Sequence, residues 1–97
     1  MIEITMKPTG VTIKGHSNKN KQDHELVCCA VSTVVQSFAL VFGSLSDKPL
    51  SYSITSGDSY LDWGNAADDT GYTFVEALYI VLAKLASDYP DHIIFKD

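Results

Sequence analysis

The chain has 97 residues, the size of one domain, here 1–97. Its 45% apolar content is that of a globular chain and excludes a disordered one. Net charge is −5, from 12 acidic and 7 basic residues. Phosphate backbones are bound by clustered Lys and Arg. The nearest cluster, Lys14, Lys19 and Lys21, is spread through a polar loop, so no nucleic-acid partner is expected.

The two cysteines, Cys28 and Cys29, are neighbours. Consecutive Cα atoms lie about 3.8 Å apart, against about 4.4–6.8 Å in a disulfide, so no disulfide framework is expected and the thiols point to a reducing compartment. The N-terminus carries no signal-peptide pattern. Residues 27–42 are apolar but fall short of the ~20 needed for a membrane span, and Ser32, Thr33, Gln36 and Ser37 interrupt them. The expectation is a soluble cytoplasmic domain with no membrane partner.

In chain order, Ile2, Ile4 and Met6 alternate with Glu3 and Thr5, residues 7–10 read as a turn, and Val11 and Ile13 resume the alternation. This hairpin delivers the chain to Gly15 and His16. The next seven residues, Ser17, Asn18, Lys19, Asn20, Lys21, Gln22 and Asp23, are all polar, which predicts a mobile loop with nothing to hold it on a core. Asp23 is placed to cap a helix over about 24–42. On that helix Val27, Val31, Val34, Phe38, Val41 and Phe42 share one face and Ser32, Thr33, Gln36 and Ser37 the other. Gly43 and Ser44, then Asp47 to Pro49, read as its stop.

Residues 50–55 alternate as a strand, 56–58 turn, and 60–63 return. Residues 65–71 read as a loop. Thr73 and Glu76 have capping-box spacing and open a second helix, with Phe74, Leu78, Val81, Leu85 and Tyr89 on one face and Pro90 at its end. Residues 92–96 read as a last strand, with His92 at the surface or a strand edge. The order ββ-α-ββ-α-β predicts an α+β fold, two helices packed on an antiparallel or mixed sheet.

A thiol nucleophile reacts as thiolate, which a helix N-terminus and a neighbouring imidazolium both favour. Cys28 sits in the first turns of the first helix. Its partner is open on position alone: His24 lies one helical turn before it, and His16 twelve residues before it. Spacing favours His24. His16, His24 and Cys28 lack the ligand number and spacing of a zinc site, so no metal and no cofactor is expected. A free cysteine is also among the most buried residue types, so a structural thiol competes with the catalytic one.

Gly15-His16, a polar loop, an acidic residue, Leu26-Val27-Cys28, a small pair and Ser32 resemble the signature of the ribosomal-processing cysteine protease (Prp) family. That signature is Gly-His, about eight loop residues, Asp-Ile-Val-Cys-Ala, and a Ser four residues after the Cys. The resemblance implies a cysteine endopeptidase with Cys28 as nucleophile and His16 as base, Ser32 and Glu25 at the supporting positions, and residues 17–23 as a loop gating the substrate. It further implies a homodimer that removes a short N-terminal extension from large-subunit ribosomal protein twenty-seven, or cleaves a related motif in a phage capsid or scaffold protein. The chain departs from the signature at Asp23, where the family has glycine, at Glu25 for Asp, and at Cys29 for Ala. The altered loop motivates an alternative, a non-catalytic interaction domain that keeps the fold and dimerises through exposed apolar residues such as Ile80.

Overall fold

Alternation at period two becomes a hairpin. In the computed structural model, which describes residues 1–45, 50–55, 57–64 and 69–96, β1 (Ile2–Lys7) and β2 (Gly10–Lys14) pair antiparallel, Ile4 opposite Ile13 and Met6 opposite Val11. Ile2, Ile4, Val11 and Ile13 are buried, and Glu3, Thr5, Thr12 and Lys14 occupy the other face. β3 (Ser51–Thr55) and β4 (Asp58–Asp62) form a second hairpin, joined to the first through β4 and β2, Leu61 opposite Val11. β5 (Ile93–Lys96) runs parallel to β1, Ile2 opposite Ile93. The sheet is mixed, in the order β3-β4-β2-β1-β5.

α1 (His24–Leu45) and α2 (Asp69–Asp88) supply the rest of one core, in which Val27, Val31, Val35, Ala39 and Phe42 of α1 and Leu78 and Leu82 of α2 join Ile4, Val11, Leu61, Trp63 and Ile93. Each fully buried side chain of this kind contributes about 1.5–3 kcal/mol. Element order and fold class are those expected from the sequence.

Four local expectations change. The α1 stripe is centred one residue further round, on Val35 and Ala39, leaving Val34, Phe38 and Val41 half-buried. α1 also runs through Gly43 and Ser44. A glycine stops a helix by turning left-handed, and Gly43 has no positive φ. With nothing within 4 Å of a Cβ there, it costs the helix only about 1 kcal/mol. The rest of the expected stop, 47–49, lies outside the described residues. At 22 residues α1 is long and apolar enough to cross a membrane, but its stripe is spent on this core.

α2 begins at Asp69, so Thr73 and Glu76 lie inside the helix; its first turn lacks an apolar repeat that would mark it in the sequence. β4 begins at Asp58, two residues before the expected start of the returning strand, and Trp63 lies just past its end. Trp63 is buried and its indole N–H donates to the Pro8 carbonyl at 2.8 Å, tying this end of the sheet to the first hairpin turn.

Candidate active site

Two glycines set the position of His16. Gly15 follows β2 with φ +95°, and a side chain there would meet the Met1 carbonyl. Its N–H donates to the Gly57 carbonyl at 2.9 Å, locking the end of β2 to the β3–β4 turn. Gly57 has φ +78°, and a Cβ on it would lie 2.5 Å from His16 Nε2. The imidazole therefore rests on the space Gly57 leaves free. It is otherwise exposed.

Cys28 is placed by its neighbour. Val27 is fully buried, so the next residue along the helix is turned out of the core. Cys28 is exposed near the α1 N-terminus, at the edge of a cleft of about 310 Å³. The floor is apolar, made by Ile2, Ile13, Val31 and Val35. One rim is the α1 stripe Cys28, Ser32, Gln36, at four-residue steps; the other is Gly57, Asp58 and Ser59, beside Gly15. The thiol and the glycines that carry His16 thus border one cavity. Among the described residues no hydrogen bond joins His16 to Cys28, a contact that in free enzymes often tightens only when substrate binds.

Ser32 lines the cleft and its Oγ accepts from Gln36 Nε2 at 3.0 Å. Glu25 is exposed and lies away from it, in a surface groove with Lys19, Lys21, His24 and Leu26. His24, favoured by spacing, is half-buried in that groove too, and does not border the cavity of Cys28. Cys29 is exposed.

The loop 17–23 departs from expectation, because polar residues hold it. Ser17 is buried and its Oγ donates to the His24 carbonyl at 2.5 Å. Lys21 N–H donates to the Asn18 carbonyl at 3.0 Å, and Asn20 N–H to Asn18 Oδ1 at 3.1 Å. His92, expected at the surface, is 3% exposed. Its Nδ1 accepts from Asn18 N–H at 3.1 Å, and its Nε2 lies 2.7 Å from the Gln22 carbonyl. An imidazole can be buried where both nitrogens find partners, and the loop backbone provides them. Asp23 is left-handed, φ 68°, and its carbonyl accepts the first α1 bond from Val27 N–H at 3.0 Å. An N-cap residue is normally extended, so Asp23 enters the helix by a turn that glycine makes more readily.

The family model described as cysteine protease Prp matches residues 1–94. The chain belongs to this family. No curated protein matches it. Among solved structures it resembles the S. aureus ribosomal processing protease Prp in complex with a substrate peptide, at 16% identity and TM-score 0.82, covering 98% of this chain and 95% of that one. The same protease with a covalently linked product peptide gives 17% identity and TM-score 0.80, covering 98% and 95%. SMU.848 from Streptococcus mutans gives 21%, TM-score 0.79, and 98% and 90% coverage. At these identities the likeness is one of fold.

Sequence reasoning missed Gln36, Gly57, Asp58 and Ser59 at the cleft, and His92 behind the loop. Gln36 had a signal, the four-residue spacing 28, 32, 36 on one helix. The hairpin residues and His92 had none, because only the fold brings them there.

Proposed function

We propose that the chain is a cysteine endopeptidase in which Cys28 attacks a peptide carbonyl and His16 takes, then returns, the proton. The observation that carries this is Cys28, exposed, lining a 310 Å³ cleft together with Gly15 and Gly57, the glycine against which the His16 ring rests. The Cys28 sulfur bonds the carbonyl carbon, the amine leaves with a proton from His16, and water then releases the acyl group with His16 as base. Ser32, held by Gln36, is a supporting polar group of the cleft, and Glu25 shares a groove with Lys19, Lys21 and Asp23 of the loop 17–23, the segment proposed to gate substrate entry.

The family and the peptide-bound Prp neighbours support a protein substrate. The substrate we propose is the N-terminal extension of large-subunit ribosomal protein twenty-seven, or a related motif in a phage capsid or scaffold protein, cut by a cytoplasmic homodimer. Mass spectrometry of a peptide carrying that extension, incubated with wild type, Cys28→Ala and Cys29→Ala, tests the reading. Cleavage by wild type and Cys29→Ala only is expected. Cleavage that survives Cys28→Ala would overturn the assignment of the nucleophile. No cleavage by any variant would favour another substrate, or the interaction domain that has kept the fold without the chemistry.

A further inference from the structure

We propose that His92 is a positioning residue whose neutral imidazole clamps both ends of the loop 17–23 and opens it on protonation. Asn18 N–H can only donate, so Nδ1 must be the unprotonated acceptor; the Gln22 carbonyl can only accept, so Nε2 must carry the hydrogen. One ring, 3% exposed and at the start of β5, therefore reads the second and sixth residues of a seven-residue loop. Its own backbone is fixed independently: its carbonyl accepts from Ile2 N–H at 2.7 Å and its N–H donates to the Tyr89 carbonyl at 3.0 Å. The clamp thus ties the sheet edge to the segment that links His16 to α1.

A second proton on the ring would set Nδ1–H against Asn18 N–H, donor facing donor, at a buried side chain. The ionisable groups next in the chain to the residues His92 bonds are Lys19, Lys21, Asp23 and His24 of the loop and helix start, the Met1 amino group and Glu3 beside Ile2, Tyr89, and Asp91. Among the described residues none of them hydrogen-bonds or ion-pairs with the ring, and Glu3 is engaged by Lys96, so no anionic group there compensates the imidazolium. Its Nε2–H still finds the Gln22 carbonyl, so acid should release the Asn18 end of the loop. The link to catalysis rests on the proposed roles of His16 and Cys28; the clamp itself does not.

The experiment is amide hydrogen exchange by NMR on the full chain at pH 8 and pH 5, corrected for intrinsic exchange, with wild type, His92→Gln and His92→Leu. The amides read are Asn18 and Lys21, with Ile4 and Val11 as folding controls. In wild type, protection of Asn18 and Lys21 should fall by about tenfold or more at pH 5 while the controls stay protected. His92→Gln, which offers one acceptor and one donor but does not titrate, should keep protection at both values. His92→Leu should lack it at both. Wild-type protection that does not change with pH, or a glutamine variant exposed at both values, would overturn the proposal even if the leucine variant failed to fold. No substrate is needed, so a failure here is distinct from a failure to cleave peptide.

Discussion

Cys28 and Cys29 are adjacent, exposed and on the same turn of one helix, so solvent access does not separate them. What separates them is direction: Cys28 borders the cleft opposite Gly57 and Cys29 does not. As the proposed nucleophile, Cys28 should be alkylated by a reagent as small as iodoacetamide at least about tenfold faster than Cys29 at neutral pH. Equal rates by peptide mapping would remove the special status of Cys28. The same logic makes Gly57 testable. A Cβ there is strained at φ +78° and strikes the His16 ring. Gly57→Ala should leave the circular dichroism spectrum folded yet lower kcat/KM for peptide cleavage about a hundredfold, since misplacing a catalytic group by about 1 Å costs that much. Activity within twofold of wild type would mean that the ring position beside Gly57 is not the working one.

At the scale of elements, periodicity carried the two helices and the first hairpin, because Val27, Val31 and Leu78, like Ile2, Ile4 and Val11, must face one core. It did not carry their ends: Gly43 reads as a stop but lies in an exposed helical turn where its cost is small, and Asp69 to Tyr72 carry no repeat. Of the candidate site, the motif pointed to Cys28, His16 and Ser32, of which Cys28 and Ser32 line the cleft, but the contact of His16 with Gly57, and of the loop with His92, depends on pairings across 41 and up to 74 residues. The parallel register of β5 was equally hidden. It is supported by a pair across the sheet edge, Lys96 Nζ to Glu3 Oε1 at 2.7 Å. The Lys96 hydrogen bond first, and its charge second, hold the Glu3 carboxyl below the usual carboxylate range. A carboxyl depressed in the folded state adds stability above its unfolded pKa and loses it as pH falls through the folded value. Glu3→Gln should therefore lower the urea midpoint slightly at pH 7 and by nothing near about pH 2, the effect at pH 7 shrinking with salt because the pair is exposed. A deficit that persists in acid would assign Glu3 a role other than this charge pair.

At the scale of the whole molecule, the two layers leave unlike surfaces. The uncovered face of the sheet presents Glu3, Thr5, Thr12, Lys14 and Ser53, with Tyr60 and Ile94 as separate exposed apolar residues among them. The helical layer presents Leu40 and Leu45 on α1, and Tyr72, Tyr79 and Ile80 on α2. Ile80, 65% exposed, lies with Tyr79, Val75 and Met6 around a shallow depression, and Tyr79 is steadied edge-on against Phe95 with ring centroids 5.6 Å apart. A domain this small gains from association, and an apolar patch is the surface that association covers. If two copies meet, the contact should use α2 rather than the polar sheet face. In sedimentation equilibrium, wild type and Thr12→Glu should then run as dimers and Ile80→Glu should shift toward monomer, while a monomeric wild type would sink the prediction. The cleft is lined from β1, β2, α1 and the β3–β4 hairpin, with no α2 residue among those lining it. An Ile80→Glu monomer should accordingly keep the proposed peptide cleavage and Cys28→Ala should lose it, so that assembly and chemistry separate in one pair of variants.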